Sequence, residues 1–297
     1  GNPDYGTDDL CDIQLGLTGI FAFLLGYELG LPPLFNPETG DPGVGFFGLM
    51  DHGSNNGRGV IPAPPSPWIR SLPAEEWSTI ETISPFQSTD TTFFIIALDS
   101  LNTLLRINIS DDEYFLIENR NNWFRDNVNI DSVRYAIYDN TDDYPDYVEV
   151  LFDSVDISFD ENGVVTSVSS YDLGLPASGL LIWHIDESVI RAAPDEYSIN
   201  ADRERKGIDL EEADGAQDIG YPNIHLFTDP TSGYFGDMWF DGNLEYETEN
   251  GIRPPEFSPY SYPDTKSNDG ASTFLSIENI SVPGDTMSFT VSNTFLV

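Results

Sequence analysis

From Thr18 to Phe35 the chain reads TGIFAFLLGYELGLPPLF, its longest apolar run, and the run turns at Gly30, Leu31 and Pro32. Helix formers without a proline fill Gly19 to Leu29, Thr18 is a suitable N-cap, and glycine followed closely by proline stops a helix. The stretch predicts one short helix. Because nearly every face is apolar, it predicts a core helix that must be buried. A hydrocarbon core needs about 20 apolar residues, and this run is too short and too interrupted, so no transmembrane segment is expected.

A chain of 297 residues can bury a proper core as one large domain or two ordinary ones. Its 39% hydrophobic and 13% aromatic content is that of a globular protein. Charge is the outlier. There are 51 Asp and Glu against 12 Lys and Arg, the lysines being only Lys206 and Lys266, for a formal net charge of −39. Affinity for nucleic acid comes largely from cations that displace condensed counterions, so no nucleic-acid partner is expected. Such a surface needs salt, bound divalent cations or a neutralising neighbour to limit its self-repulsion. A saline or calcium-rich exterior would suit it; a merely well-solvated acidic surface is the plainer alternative. Cys11 is the only cysteine, which rules out an intrachain disulfide and leaves a small buried apolar residue or a bridge between two chains. The chain opens at Gly1 with no initiator Met and no signal or transit sequence, which suggests trimmed ends or a piece of a longer polypeptide.

Residues 1 to 17 are rich in Gly, Asp and Pro, with Asp8, Asp9 and Asp12 close together. From Asn36 to Pro67 the text is loop-like apart from Gly45 to Met50 (GFFGLM), and Trp68 to Trp77 has room for a short helix or two. Beyond Trp77 the texture changes to period-two alternation with β-branched and aromatic runs. Strands are expected over Ser78–Ile83, Thr92–Leu98, Leu104–Ile109, Glu113–Asn119, Val133–Tyr138, Tyr147–Phe159, Val164–Ser169, Gly179–Ile185, Gly207–Glu212, Thr273–Ile277 and Thr286–Val291. Asp160 to Gly163 suits a hairpin turn, and a short helical turn is expected around Glu187 to Ala192. Many short strands separated by turn signals predict an antiparallel sandwich or jelly roll.

The segment Phe23 to Phe35 (FLLGYELGLPPLF) resembles the zinc-binding helix of the immune inhibitor A family of secreted metallopeptidases, whose pattern is close to H-E-x-G-H-x-L-G-L-P-D-L-Y. Gly45 to Ser54 (GFFGLMDHGS) is similar to that family's Met-containing turn. Glu113–Arg120, Gly179–Glu187, Lys206–Gly215 and Ser276–Met287 follow in the order and spacing the family would show, so the resemblance covers nearly the whole chain. It implies residues 1 to 77 as the C-terminal portion of a zincin-like domain, and 78 to 297 as a β-sandwich domain. The fold class expected is thus α+β, mostly β: a zincin-like remnant packed on an antiparallel β-sandwich or jelly roll.

The chemistry departs from the pattern. Zinc peptidases of this kind need two imidazoles at i and i+4, a glutamate beside the first as general base, and a third ligand beyond the turn. At those positions stand Phe23 and Tyr27 for the histidines, Leu24 for the glutamate and Pro33 for the third ligand. No Zn²⁺ is expected. Glu28 is rotated about 100° away from the metal face. His52, His184 and His225 share no ligand spacing, and His184 is expected to be a buried structural histidine. Phe23 and Tyr27 are expected to stack into the space that zinc would occupy.

Asp209 to Asp218 (DLEEADGAQD) holds five acids in ten residues. Calcium takes six to eight oxygens, largely carboxylates and carbonyls. Peptidases resembling this chain commonly carry structural calcium, so Glu212, Asp214 and Asp218, with Asp186, are the candidate Ca²⁺ ligands; a solvated acidic loop is the alternative. Asn108-Ile109-Ser110 and Asn279-Ile280-Ser281 fit the N-glycan acceptor pattern. The function expected is a catalytically inactive peptidase homologue, secreted or at the cell surface, with a structural or binding role in an assembly. Its partner would cover the apolar helix: a cleaved upstream fragment, another subunit, or the sandwich itself. Two other functions compete: a metallopeptidase or hydrolase with a non-standard site, and a carbohydrate- or protein-binding sandwich using Trp239, Phe240 and Tyr260 to Tyr262.

Overall fold

The computed structural model describes residues 16–72, 79–83, 90–97, 103–122, 140, 157–162, 165–168, 170–195, 197–221 and 230–293. The expected strand Val133–Tyr138, most of Tyr147–Phe159, and Cys11, Trp77 and His225 lie outside these residues. The chain is a mixed fold made mostly of strands. A five-stranded sheet holds β1 (Thr79–Ile83), β3 (Thr103–Asn108), β4 (Glu113–Arg120), β7 (Gly179–Asp186) and β8 (Ile208–Leu210), in the order β1-β3-β4-β7-β8. A second sheet has the order β2-β10-β9, from Thr91–Ile96, Thr286–Asn293 and Leu275–Glu278. β5 (Ile157–Phe159) and β6 (Val165–Val168) form a separate hairpin across the expected turn, where Asn162 N–H donates to Asp160 Oδ1 at 2.8 Å.

Every ladder but one between these strands is antiparallel. The exception corrects the expectation of a purely antiparallel fold: β1 and β3 run parallel, from Thr79 opposite Thr103 to Ile83 opposite Ile107. After β1 the chain crosses to the second sheet as β2 and returns as β3, so it re-enters the first sheet in its original direction.

The centre of the fold is the β4–β7 ladder, eight pairs from Glu113 opposite Asp186 to Arg120 opposite Gly179. β7 (GLLIWHID) is buried at every position, since an apolar run without alternation is stable only when both sheet faces are covered. Phe115, Ile117, Leu180 and Ile182 face a core closed by Met287, Phe289 and Val291 of the second sheet. Tyr114, Leu116, Leu181, Trp183 and Ile185 point the other way, onto Leu34, Phe47, Met50 and Ile69. The N-terminal segment thus shares a core with the sheet.

A buried ion network ties these layers. Arg120, fully buried, donates to Asp172 through Nε (2.9 and 3.0 Å) and through its terminal nitrogen (2.6 Å), and to Glu118 at 3.3 Å. Glu118 also accepts from Trp183 Nε1 at 3.1 Å and from Arg70 of α2 (Pro67–Arg70), the short helix expected after Pro67. Four charges of alternating sign, each hydrogen-bonded, are tolerated where one alone would not be.

The apolar run forms α1 (Thr18–Glu28), but Leu17 rather than Thr18 occupies the N-cap and gives no side-chain bond. Its exit is a Schellman turn: Gly30 at φ +81° lets Leu31 N–H reach Gly26 O at 2.9 Å and Gly30 N–H reach Tyr27 O at 3.0 Å. The expectation of a core helix is corrected here. Only Gly19 and Gly26 of α1 are buried, while Leu17, Ile20, Phe21, Leu24, Leu25 and Leu29 are exposed. Glycines face inward where there is no room for a side chain: a Cβ on Gly19 would lie 1.8 Å from the backbone Ser54 O, and one on Gly26 would lie 2.6 Å from the side-chain Met50 Sδ. Among the described residues the sheets do not cover the outer face. No helix among them is long and apolar enough to cross a membrane.

Candidate functional site

Two places carry the residues singled out above: the inner side of α1, and the turns that follow β8.

On α1, Phe23 and Tyr27 are one helical turn apart and share a face. Their rings meet edge to face with centroids 4.9 Å apart; Phe35 lies 6.2 Å from Phe23, and Tyr197 stacks on Tyr27 at 5.8 Å. Burial and the neighbouring Tyr197 raise the Tyr27 phenol above its ordinary value, so it stays neutral. Leu24 points outward and is half exposed, whereas Pro33 is buried. Met50, fully buried, packs against Gly26, and its carbonyl accepts from Leu34 N–H at 2.9 Å. The Asp51 carboxylate holds the turn together, accepting from the backbone of Gly43, Val44 and Gly45 at 2.6–3.0 Å and from His52 N–H at 2.7 Å. His52 bonds Ser232 Oγ at 2.9 Å and Gly40 O at 3.3 Å. These groups form an aromatic and apolar packing surface with one weakly acidic phenol.

After β8 the chain turns through Glu212 and Asp214. A second turn, Phe235–Asp237, brings Asp237 beside them, the segments joined by Ala213 N–H to Asp237 O at 3.0 Å. One carboxylate oxygen from each of Glu212, Asp214 and Asp237 lies within 4.8 Å of the other two. Glu212 accepts from Asp218 N–H (2.7 Å) and Ile219 N–H (3.1 Å). Asp214 accepts from Ala216 N–H (2.9 Å) and the Tyr234 hydroxyl (2.5 Å). Asp237 Oδ2 accepts from Tyr234 N–H at 2.7 Å, but its Oδ1 is buried with no hydrogen-bond partner. Burial first, then the charges of Glu212 and Asp214, hold the Asp237 carboxyl well above the usual range. Glu212 is raised likewise by burial, against the opposing pull of Lys206. Convergent carboxylates without imidazole or thiolate can hold a hard cation or share protons.

Of the four acids singled out as calcium ligands, the structure brings Glu212 and Asp214 together. Asp218 contributes its backbone N–H and a nearby charge that acts on Asp237. Asp186 lies elsewhere: it caps α3 (Glu187–Ala192), accepting from Ser188 N–H and Val189 N–H, and also from Asn268 Nδ2 at 3.0 Å. Burial opposes its ionisation, but the bonds from Ser188 and Asn268 outweigh this and lower its pKa to about 2. Sequence reasoning missed Asp237. The available signal was its setting, an acid inside Tyr234-Phe235-Gly236-Asp237-Met238-Trp239, where a charge among large apolar residues marks a buried carboxylate.

His184 is the buried, hydrogen-bonded residue expected, held between Glu211 Oε1 at Nδ1 and Glu113 Oε1 at Nε2, both at 2.8 Å. Of the aromatics considered as a binding platform, Trp239 is fully buried and donates to Glu211 O at 2.7 Å; Tyr260 and Tyr262 are exposed. Comparison with protein-family models, with curated proteins and with solved structures gave no match.

Proposed function

We propose that this chain is a catalytically inactive relative of the immune inhibitor A peptidases, exported, in which a former zinc helix serves as a packing and docking element of an extracellular assembly. The aromatic cluster on the inner side of α1 carries this proposal. Phe23 and Tyr27 stand where the resemblance puts imidazoles, and their ring contact, extended by Phe35 and Tyr197, fills with carbon the volume a metal and its water would need. Met50 against Gly26 supports it too, because a methionine turn beneath the helix is the arrangement the resemblance implies.

The outer side of α1 supports the docking role. Four large apolar side chains on α1 (Ile20, Phe21, Leu24 and Leu25), with Leu17 and Leu29 at its two caps, are exposed on a chain whose net charge is −39. A contiguous apolar surface of that kind marks contact with another protein. The occupant proposed is an apolar face of a partner chain. An acidic partner surface would be repelled by the remainder of this molecule.

The test combines metal content with native mass. Protein purified with zinc present is expected to hold no stoichiometric zinc and to cleave no peptide, and to run as an assembly that Leu24→Glu with Leu25→Glu dissociates. Stoichiometric zinc removed by a chelator together with peptide cleavage would overturn the inactive-homologue proposal, and a wild-type monomer that no partner joins would overturn the docking role.

A further inference from the structure

We infer that the loop over residues 258–263 is a binding platform for a neutral oligosaccharide, with the rings of Tyr260 and Tyr262 as stacking surfaces and the Glu249 carboxylate as an acceptor for sugar hydroxyls. The site goes beyond the role assigned to α1 and uses none of its residues. Tyr260 is 83% exposed, more than any other large hydrophobic side chain among the described residues, and Tyr262 is 54% exposed. A single exposed aromatic is ordinary. Two of them on one short loop that is otherwise held stiff are not.

The stiffness comes from side chains spent on the loop's own backbone. Ser258 N–H donates to Ser261 Oγ at 2.8 Å, and the Ser261 hydroxyl donates to Pro263 O at 2.7 Å. Tyr260 N–H donates to Ser258 Oγ at 3.1 Å. Asn250, at the end of the helix Leu244–Asn250, grips Tyr262 on both sides: its Oδ1 accepts from Tyr262 N–H at 2.7 Å and its Nδ2 donates to Tyr262 O at 2.9 Å. A tyrosine has only two side-chain torsions to freeze, so a loop fixed in this way presents its rings at low entropic cost.

The surroundings select the ligand class. Gly215 lies beneath the Tyr262 ring, where an added Cβ would meet Tyr262 Cδ1 at 2.8 Å and Glu249 Cγ at 3.2 Å. The same glycine therefore seats an aromatic ring and an exposed carboxylate side by side. A pyranose matches that pair: its C–H bonds, polarised positive, pack on the negative face of a ring, and its hydroxyls donate to a carboxylate. A neutral ligand also escapes the repulsion that a net charge of −39 exerts on phosphate, sulfate or uronate groups. A protein anchor would instead need apolar surroundings that shut out water. Here Ser258, Ser261, Asn250 and Glu249, the side chains around the rings, are polar.

Affinity electrophoresis tests the platform, with mobility measured against each protein's own mobility in a plain gel. Laminarin, hydroxyethyl cellulose and galactomannan are the neutral probes and polygalacturonate is the acidic one. Retardation is expected with at least one neutral polymer and not with polygalacturonate. Tyr260→Ala is expected to weaken that binding about three- to tenfold without moving the melting temperature, because its ring lies in water. Glu249→Gln is expected to weaken it about threefold, and Tyr262→Phe, which keeps the ring, to bind as wild type does. Leu24→Glu with Leu25→Glu is expected to leave retardation unchanged, so this site and the docking role of α1 fail separately. No retardation by any neutral polymer, equal retardation by polygalacturonate, or a Tyr260→Ala variant that binds as wild type does would overturn the platform.

Discussion

At the scale of single residues, His184 shows what partners do to a buried ring. Burial alone disfavours the imidazolium, but its hydrogen bonds to the Glu113 and Glu211 carboxylates outweigh it and raise the pKa from 6.5 to about 9. A folded-state value above the unfolded one means that the charged ring stabilises the fold fully below pH 6.5, and that this contribution is lost as the pH rises through about 9. The span corresponds to about 3 kcal/mol. His184→Gln is accordingly expected to flatten the decline in unfolding free energy between about pH 6.5 and pH 9. Urea titrations across that range at constant salt measure it, and an unchanged slope in the variant would refute the assignment. That His184 is buried was readable from Ile182-Trp183-His184-Ile185. That it is charged was not, because Glu113 comes from β4 and Glu211 from the residues after β8, and only strand register puts both beside it. The same holds for Asp237, which no spacing connects to Glu212.

Among elements, strands were the most legible. Alternation in Thr286-Met287-Ser288-Phe289-Thr290-Val291 maps directly onto the buried Met287, Phe289 and Val291 of β10, because side chains on a strand alternate between faces. Sheet membership and direction were not legible, since neither is written in the alternation of one strand; hence the parallel pairing of β1 with β3. Helix α1 was legible as a helix, through its composition and its Gly30 stop, but not in its orientation. Apolar side chains all round predict burial, yet only the two glycines are buried, with Ala22, Phe23 and Tyr27 half-buried beside them against the core. Alanine elsewhere in a helix gains about 1 kcal/mol over glycine. Gly19→Ala is expected to do the opposite and cost about 1–3 kcal/mol, because the added methyl meets Ser54 O and the helix must lift. Chemical unfolding of the variant checks this. A stabilised Gly19→Ala would mean that α1 is not seated on that loop.

For the whole molecule, a central sheet covered on one face by a second sheet and on the other by the N-terminal segment has to hold together under a net charge of −39. Self-repulsion of that size is relieved by screening. The melting temperature is therefore expected to rise by several degrees between about 20 mM and about 1 M NaCl, in scanning calorimetry with calcium excluded. A flat or falling dependence would mean that the acids are balanced within the fold. What the sequence determined by itself is local: roughly where the described strands lie, where α1 stops, that the composition is strongly acidic, and that Phe23, Leu24, Tyr27 and Pro33 are not a zinc-ligand set. These follow from side-chain chemistry and backbone periods within a few residues. Tertiary structure alone decided which face of α1 turns inward, which acid completes the group at Glu212 and Asp214, and which glutamates charge His184. Those outcomes depend on contacts between distant segments, whose energies exist only once the sheets have packed.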